Sequence, residues 1–264
     1  MGFFQDKISR YNLPDKIDKS IEALKLASKM SEQYYNKPLL IAYSGGKDSD
    51  VMLHLAKRSG IDFEVCHNHT TVDAPQTVYH VRETFSKLNA EGIKTEVIYP
   101  LYKGKRISMW DLIVEEKIPP TRIMRYCCRI LKENMVENRF IATGVRKEEG
   151  TRRAKRNMFE ITSNDVKQRI SHNMDHVIEV YDDAQNYPEV YDCRYITSLK
   201  RNKNASVHSI IEWNAIDVWN YVSDNNIKLC DLYDMGYQRV GCIGCPMAGK
   251  RGRERVRGFS KICT

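Results

Sequence analysis

The segment Ser44-Gly45-Gly46-Lys47-Asp48-Ser49 constrains this chain most. It follows an apolar run, Pro38-Leu39-Leu40-Ile41-Ala42-Tyr43, that reads as a buried strand. A helical pattern, with Val51, Leu53, Leu55 and Ala56 apolar, starts at once behind it. A glycine pair at such a strand-to-helix turn lets the backbone bend sharply and approach an anion. The helix start offers unpaired N–H groups and the positive end of its dipole, a natural seat for phosphate. Ser44 and Ser49 add hydroxyl donors and Lys47 a cation. Asp48 is the odd member, because a carboxylate repels phosphate; it points to a divalent cation or to a capping role. The spacing is neither that of a Walker loop nor that of the dinucleotide fingerprint.

The surrounding pattern places this turn in an α/β chain. Asp15 to Tyr35 keeps helical spacing at Ile17, Ile21, Leu24, Ala27 and Met30. Phe63–His67, Thr95–Ile98 and Phe140–Val145 read as further strands, and Pro75 follows Asp73-Ala74 where a helix opens. Strands alternating with helices predict a parallel twisted sheet with helices on both faces. The predicted parts are an N-terminal helical segment over 1–35, a nucleotide-binding core over 36–155, an irregular insertion over 156–206, and a C-terminal, cysteine-rich part of the same domain over 207–264. No linker divides the chain. Trp213 and Trp219, at helical spacing, are expected to pack a core, as is Cys66 in its strand.

Eight cysteines occur: Cys66, Cys127, Cys128, Cys193, Cys230, Cys242, Cys245 and Cys263. The N-terminus has no apolar secretory core and the longest apolar runs are too short to span a membrane. The expectation is a cytoplasmic protein, whose cysteines serve metal or redox chemistry rather than a disulfide scaffold. Cys242-Ile243-Gly244-Cys245 is a two-thiolate bite suited to zinc or an iron–sulfur cluster. The adjacent pair Cys127-Cys128 suits different irons of a larger cluster better than one small ion, and Cys230 competes for the same role. Five candidates thus exist for four positions: Cys128, Cys230, Cys242 and Cys245 first, with Cys127 a ligand or a spare thiol. Arg125 and Lys132 flank the pair and can hold an anion there. Arg146, after the Phe140–Val145 strand, sits where open α/β sheets place ligands, as do Ser44 and His67. Arg152 and Arg153 are further phosphate contacts to consider. The formal charge is 42 − 34 = +8. Its basic residues concentrate in Arg146–Arg156 and in the tail from residue 249, which suits a nucleic acid.

Taken together the motifs resemble a known family. SGGKDS after an apolar strand is similar to the PP-loop of the ATP pyrophosphatases. His69 to Thr77, Arg125-Tyr126-Cys127-Cys128 with Lys132, Gly144 to Gly150, and Trp213 to Asp234 resemble its phosphoadenosine phosphosulfate (PAPS) reductase branch. The resemblance spans residues 36–250 and implies an adenine nucleotide alpha hydrolase-like, Rossmann-like fold. It implies ATP with Mg²⁺ cleaved to AMP and pyrophosphate, with Lys47, Asp48 and Arg146 catalytic. Ser44, Gly45, Gly46, Ser49, His67, Asp73, Arg125, Lys132 and Gly144 would join them at the nucleotide. It also implies a 4Fe-4S cluster on the cysteines, with zinc the lesser alternative, and a sulfur donor such as a cysteine desulfurase. Two departures bear on the reaction. The loop carries Asp48 where sulfonucleotide reductases usually carry Glu, and the chain ends Ser260-Lys261-Ile262-Cys263-Thr264 without their nucleophile motif. Both favour ATP-using relatives such as the Dnd-type DNA phosphorothioation enzymes. Reduction of adenylylsulfate or its 3′-phosphorylated form, with Cys263 as nucleophile, is the alternative. A non-catalytic nucleotide- or redox-sensing subunit is the second.

Overall fold

The computed structural model describes residues 2–133, 136–162 and 204–248. Most of the expected insertion, with Cys193, and the basic tail, with Cys263, lie outside the described residues. The element order is α1 (Gly2–Tyr35), β1 (Leu39–Ala42), α2 (Lys47–Ser59), β2 (Phe63–Asn68), α3 (Pro75–Ala90), β3 (Thr95–Ile98), β4 (Leu101–Tyr102), β5 (Lys105–Arg106) and α4 (Met109–Glu116). There follow a helical turn α5 (Tyr126–Cys128) that runs into a π-helical stretch Arg129–Glu133, then β6 (Phe140–Thr143), β7 (Phe159–Thr162), β8 (Asn204–Val207) and α6 (Ala215–Asp224).

Six strands form one mostly parallel sheet in the order β3-β2-β1-β6-β8-β7. β1 pairs in parallel with β6, Ile41 opposite Ala142, and β6 pairs in parallel with β8, Ile141 opposite Ser206. β7 departs from the expected pattern. It runs antiparallel to β8, Phe159 opposite Val207, at the sheet edge. The stretch expected to be irregular from residue 156 therefore begins and ends in paired strands. An antiparallel edge strand is common on an otherwise parallel sheet.

The described residues divide into two compact units. One comprises the chain up to Tyr43, Lys47–Val65 and Val136–Lys228; the other comprises Ser44–Gly46, Cys66–Met135 and the chain from Leu229. Because each unit is assembled from interleaved segments, no single linker marks a boundary.

In the first unit, α1 buries a stripe centred on Ser20, Leu24, Ala27 and Ser31, with Ile17 and Ile21 at its half-buried margin. Ser20 Oγ donates to Ser209 O at 2.7 Å and accepts from Trp213 Nε1 at 3.0 Å. Trp213 is a core residue at 2% exposure, whereas Trp219 is 40% exposed, contrary to expectation. The two do not share a helix: Trp213 precedes the N-cap Asn214, and only Trp219 lies in α6. A capping box between Asn214 and Asp217 fixes that helix start. Buried Asp217 also accepts from Lys16 Nζ at 2.6 Å. Cys66 is buried in β2 as expected. Among the described residues no helix is long and apolar enough to cross a membrane.

Candidate functional site

β1 ends at Ala42 and buried Tyr43 leads into the glycine turn. Gly45 has φ +74, a left-handed conformation that favours glycine. A Cβ there would also stand 3.0 Å from Thr77 Cγ2 and from Val81 Cγ2 of α3. At Gly46 a Cβ would lie 3.6 Å from the Tyr233 hydroxyl. Two needs thus select glycine at position 45, the bend and the close packing.

The helix behind the turn starts with charges arranged as a chain. Asp48 Oδ2 accepts from Lys47 Nζ at 3.0 Å and Asp48 Oδ1 from Arg146 Nε at 2.7 Å. Arg146 Nη1 donates to Glu148 Oε2 at 2.9 Å, and the same carboxylate oxygen accepts from Ala215 N at 2.6 Å. Lys47 and Arg146 are 5% and 4% exposed, so both cations are held in place rather than free to wander in water. Loss of water pulls the guanidinium's pKa down, but the carboxylates of Asp48, Glu149 and Glu148 outweigh it and the net direction is up. Arg146 therefore stays charged throughout the working range. Asp50, also in the first turn, accepts from Tyr43 Oη at 2.5 Å.

Gly144 is where β6 meets this helix. A Cβ on it would lie 2.9 Å from Asp48 O, 3.0 Å from Asp48 C and 3.2 Å from Ser49 N. Only a bare Cα lets the strand end come this close to the helix start. Arg152 is exposed, and Arg153 pairs with Glu149.

Cys127, Cys128, Cys230, Cys242 and Cys245 lie in the second unit. Cys127 is buried and Cys128, Cys242 and Cys245 are half-buried; none is in a disulfide. Burial pushes the Cys127 thiol up from 9.0 to about 11, with Cys128 and Cys242 adding to the rise. Charges that act on one another this way place Cys127, Cys128 and Cys242 in one group. Cys245 is one turn on, its N–H donating to Cys242 O at 3.3 Å. Arg125 Nη2 donates to Cys128 Sγ at 3.5 Å. Lys132 loses some hydration, which lowers its pKa, but Cys242, Asp73 and Cys128 outweigh this and raise it. The two cations expected to flank the pair thus sit on the sulfurs themselves. Cys230 is elsewhere in character: it packs at 1% exposure with Ala74 and Leu232, beside Tyr233, Tyr237 and Val240.

One loop joins the cysteines to the end of β2. Cys242 Sγ donates to Thr70 Oγ1 at 3.5 Å, and Ile243 N donates to Val72 O at 2.8 Å. Thr70 N donates to Asp73 Oδ2 at 3.0 Å. His67 and His69 stand beside Asp73, the ligand atoms of all three lying within 4.8 Å of one another.

Of the expected residues, Lys47, Asp48 and Arg146 come together, as do Cys127, Cys128 and Cys242 with Arg125 and Lys132. His67 and Asp73 join His69 in a grouping that the sequence reading had not formed. Asp50 and Thr70 are not singled out by the sequence. Asp50 is an acid in an anion-binding turn, and only its partner Tyr43 reveals it. Thr70 carries no signal beyond lying inside the His69–Thr77 motif.

Residues 38–248 match the family model described as the phosphoadenosine phosphosulfate reductase domain. An uncharacterized protein of Methanocaldococcus jannaschii, MJ0973, is 27% identical over 244 residues, covering 89% of this chain and 48% of that protein. Sulfate adenylyltransferase subunit 2 of Maricaulis maris is 24% identical over 225 residues, covering 83% of this chain and 67% of that one. The chain thus spans about half the length of the first curated relatives it matches, 48% and 40%. The phosphate complex of phosphoadenylyl-sulfate reductase from Candida auris superposes with a TM-score of 0.50 at 14% identity, covering 84% of this chain and 87% of that one, a likeness of fold. With 38–248 matched, the chain belongs to the phosphoadenosine phosphosulfate reductase domain family.

Proposed function

We propose that this chain binds ATP with Mg²⁺ at the turn 44–49 and cleaves it to AMP and pyrophosphate. In doing so it adenylates an acceptor that then receives sulfur. The observation that carries this reading is the pairing of Asp48 with both Lys47 and Arg146 at the start of α2. The pairing supports a positioning role for Asp48. The acid aims two buried cations rather than confronting the phosphates alone. Backbone N–H groups of the helix start would receive phosphate oxygens. Asp48, Asp50 and Glu148 outnumber Lys47 and Arg146, so a polyphosphate would meet an excess of negative charge. A divalent cation brought in with the nucleotide would supply the missing positive charge.

An acceptor oxygen would attack the α-phosphorus. The bond from that phosphorus to the α–β bridging oxygen would break, its electron pair leaving with pyrophosphate. Lys47 and Arg146 would hold developing negative charge on the phosphates, which costs least where the donors are already fixed. Sulfide-level sulfur would displace AMP, the electron pair of the broken bond leaving with AMP; a cysteine desulfurase is the kind of donor expected, with a thiol reductant cleaving its persulfide. Exposed Arg152, Lys155 and Arg156 suit an anionic acceptor such as a nucleic acid.

The cysteine group fits a 4Fe-4S cluster by its donor chemistry. Three thiols act on one another, a fourth lies one turn away, and two cations stand ready to offset thiolate charge. Adjacent thiols suit separate irons better than a single zinc. Cys127, Cys128, Cys242 and Cys245 would hold the cluster, with Cys127 taking the place first assigned to apolar-packed Cys230. The cluster would supply iron able to bind sulfur. Arg125 and Lys132 would hold its charge.

Calorimetry of the anaerobic protein with ATP and Mg²⁺, and separately with adenylylsulfate, tests the reading. The proposal expects ATP to bind and Lys47→Ala to weaken it at least tenfold. Tight adenylylsulfate binding with none for ATP would overturn it in favour of a reductase.

A further inference from the structure

We propose that His67, His69 and Asp73 form a site for a divalent transition ion of the zinc class, distinct from the cysteine group. His67 lies in β2 and His69 one residue beyond its end, with their ring centroids 6.4 Å apart. His67 is 4% exposed and the other two are half-buried. One ligand atom from each lies within 4.8 Å of the other two, and His69 Nδ1 is 4.0 Å from Asp73 Oδ2. An ion bound at about 2.0–2.1 Å from each ligand in tetrahedral geometry needs ligand atoms roughly 3.3 Å apart. The ligand atoms would therefore close by up to about 1.5 Å when the ion binds.

The carboxylate is already oriented. Thr70 N donates to Asp73 Oδ2, the kind of outer partner that orients a metal ligand. The loop between the histidines and Asp73 is pinned on both sides of the bend. Thr71, with φ 64, is a β-branched residue in left-handed backbone. Its Oγ1 accepts from Met109 N at 2.8 Å, and Val72 O accepts from Ile243 N at 2.8 Å. A strained conformation held this firmly keeps Asp73 folded back toward the histidines.

The donor set decides the class of ion. Two imidazoles and one carboxylate suit zinc, cobalt or ferrous iron rather than magnesium or calcium, which take oxygen ligands. Three protein ligands leave room for water or an anionic ligand on the ion. The proposal goes beyond the adenylation reading and does not depend on it, because its test involves no turnover.

The test is titration of the full-length, anaerobically purified protein with Co²⁺, followed by absorption spectroscopy. Cobalt on nitrogen and oxygen gives only weak ligand-field bands; cobalt on thiolate adds an intense charge-transfer band. The expected result is one saturable equivalent that adds ligand-field bands without a thiolate band, separate from any cobalt taken up by the cysteines. His69→Gln should weaken it by more than tenfold while circular dichroism stays that of the parent. Asp73→Asn keeps the acceptor for Thr70 N and should weaken binding as well. Absence of saturable binding outside the cysteines, or unchanged affinity of that site in His69→Gln with its fold intact, would overturn the proposal.

Discussion

Gly144→Ala isolates one contact on which the candidate nucleotide site depends. The added methyl carbon would lie 2.9 Å from Asp48 O, 3.0 Å from Asp48 C and 3.2 Å from Ser49 N. Ordinary contacts of this type lie near 3.4 Å or beyond, so all three atoms must yield. All three are backbone atoms of the first turn of α2, and none can swing away as a side-chain tip would. Relief therefore requires β6 and the start of α2 to separate by several tenths of an ångström. Overpacking of this kind costs about 1–3 kcal/mol. The shift falls on the residue that pairs with Lys47 and Arg146, so nucleotide binding should suffer beyond the loss of fold. Urea unfolding followed by circular dichroism reads the stability term. Calorimetric titration with ATP and Mg²⁺, at a temperature where both proteins are folded, reads the binding term. A destabilisation of about 1–3 kcal/mol with ATP affinity down at least tenfold is expected. Stability within about 0.5 kcal/mol of the parent, with unaltered ATP affinity, would refute the close-approach argument.

Two further perturbations follow from the charges. Arg146→Lys keeps the charge but loses the fork that reaches Asp48 and Glu148 together. A loss of about 1.5–3 kcal/mol in urea unfolding, with weaker ATP binding, is expected from one severed charged hydrogen bond. For Cys127 the thiol is raised in the folded state, so the folded protein keeps its proton where the unfolded chain has released it. In the cluster-free protein, stability from this group is complete below pH 9, falls as the pH rises, and is lost by about pH 11. The two-unit span is worth at most about 3 kcal/mol, and Cys127→Ser should flatten the slope in melting scans taken from neutral to alkaline pH.

The parts of the fold carried by contiguous residues were legible in the chain. β3 runs Thr95–Ile98 as read, and β1, β2, α2 and α3 fall within a few residues of their expected limits. Pro75 opens α3 because its missing N–H costs nothing there. β7 is not evident from the sequence because Phe-Glu-Ile-Thr alternates apolar and polar over only four residues and gains its meaning from pairing with β8. Trp213 and Trp219 looked like one helical face because spacing does not show that a cap at Asn214 intervenes. The site divides in the same way. Lys47 and Asp48 announce themselves in the glycine turn, but Asp48's partner Arg146 lies 98 positions away and its anchor Glu148 only follows from it. Spacing left Cys127 and Cys230 as rivals, because a thiol's neighbours across the fold, not its distance along the chain, decide its company. His69 and Asp73 come together through a left-handed Thr71, a bend that its side chain does not advertise.

The central claim is that the turn 44–49 serves cleavage of ATP between its α and β phosphates. The most direct measurement is phosphorus NMR of the products formed when the anaerobic protein is incubated with ATP and Mg²⁺ together with candidate acceptors and sulfide to displace the AMP. The account predicts AMP and pyrophosphate in equal amounts, both abolished by Lys47→Ala. Formation of ADP and orthophosphate, or AMP and pyrophosphate undiminished in Lys47→Ala, would contradict it.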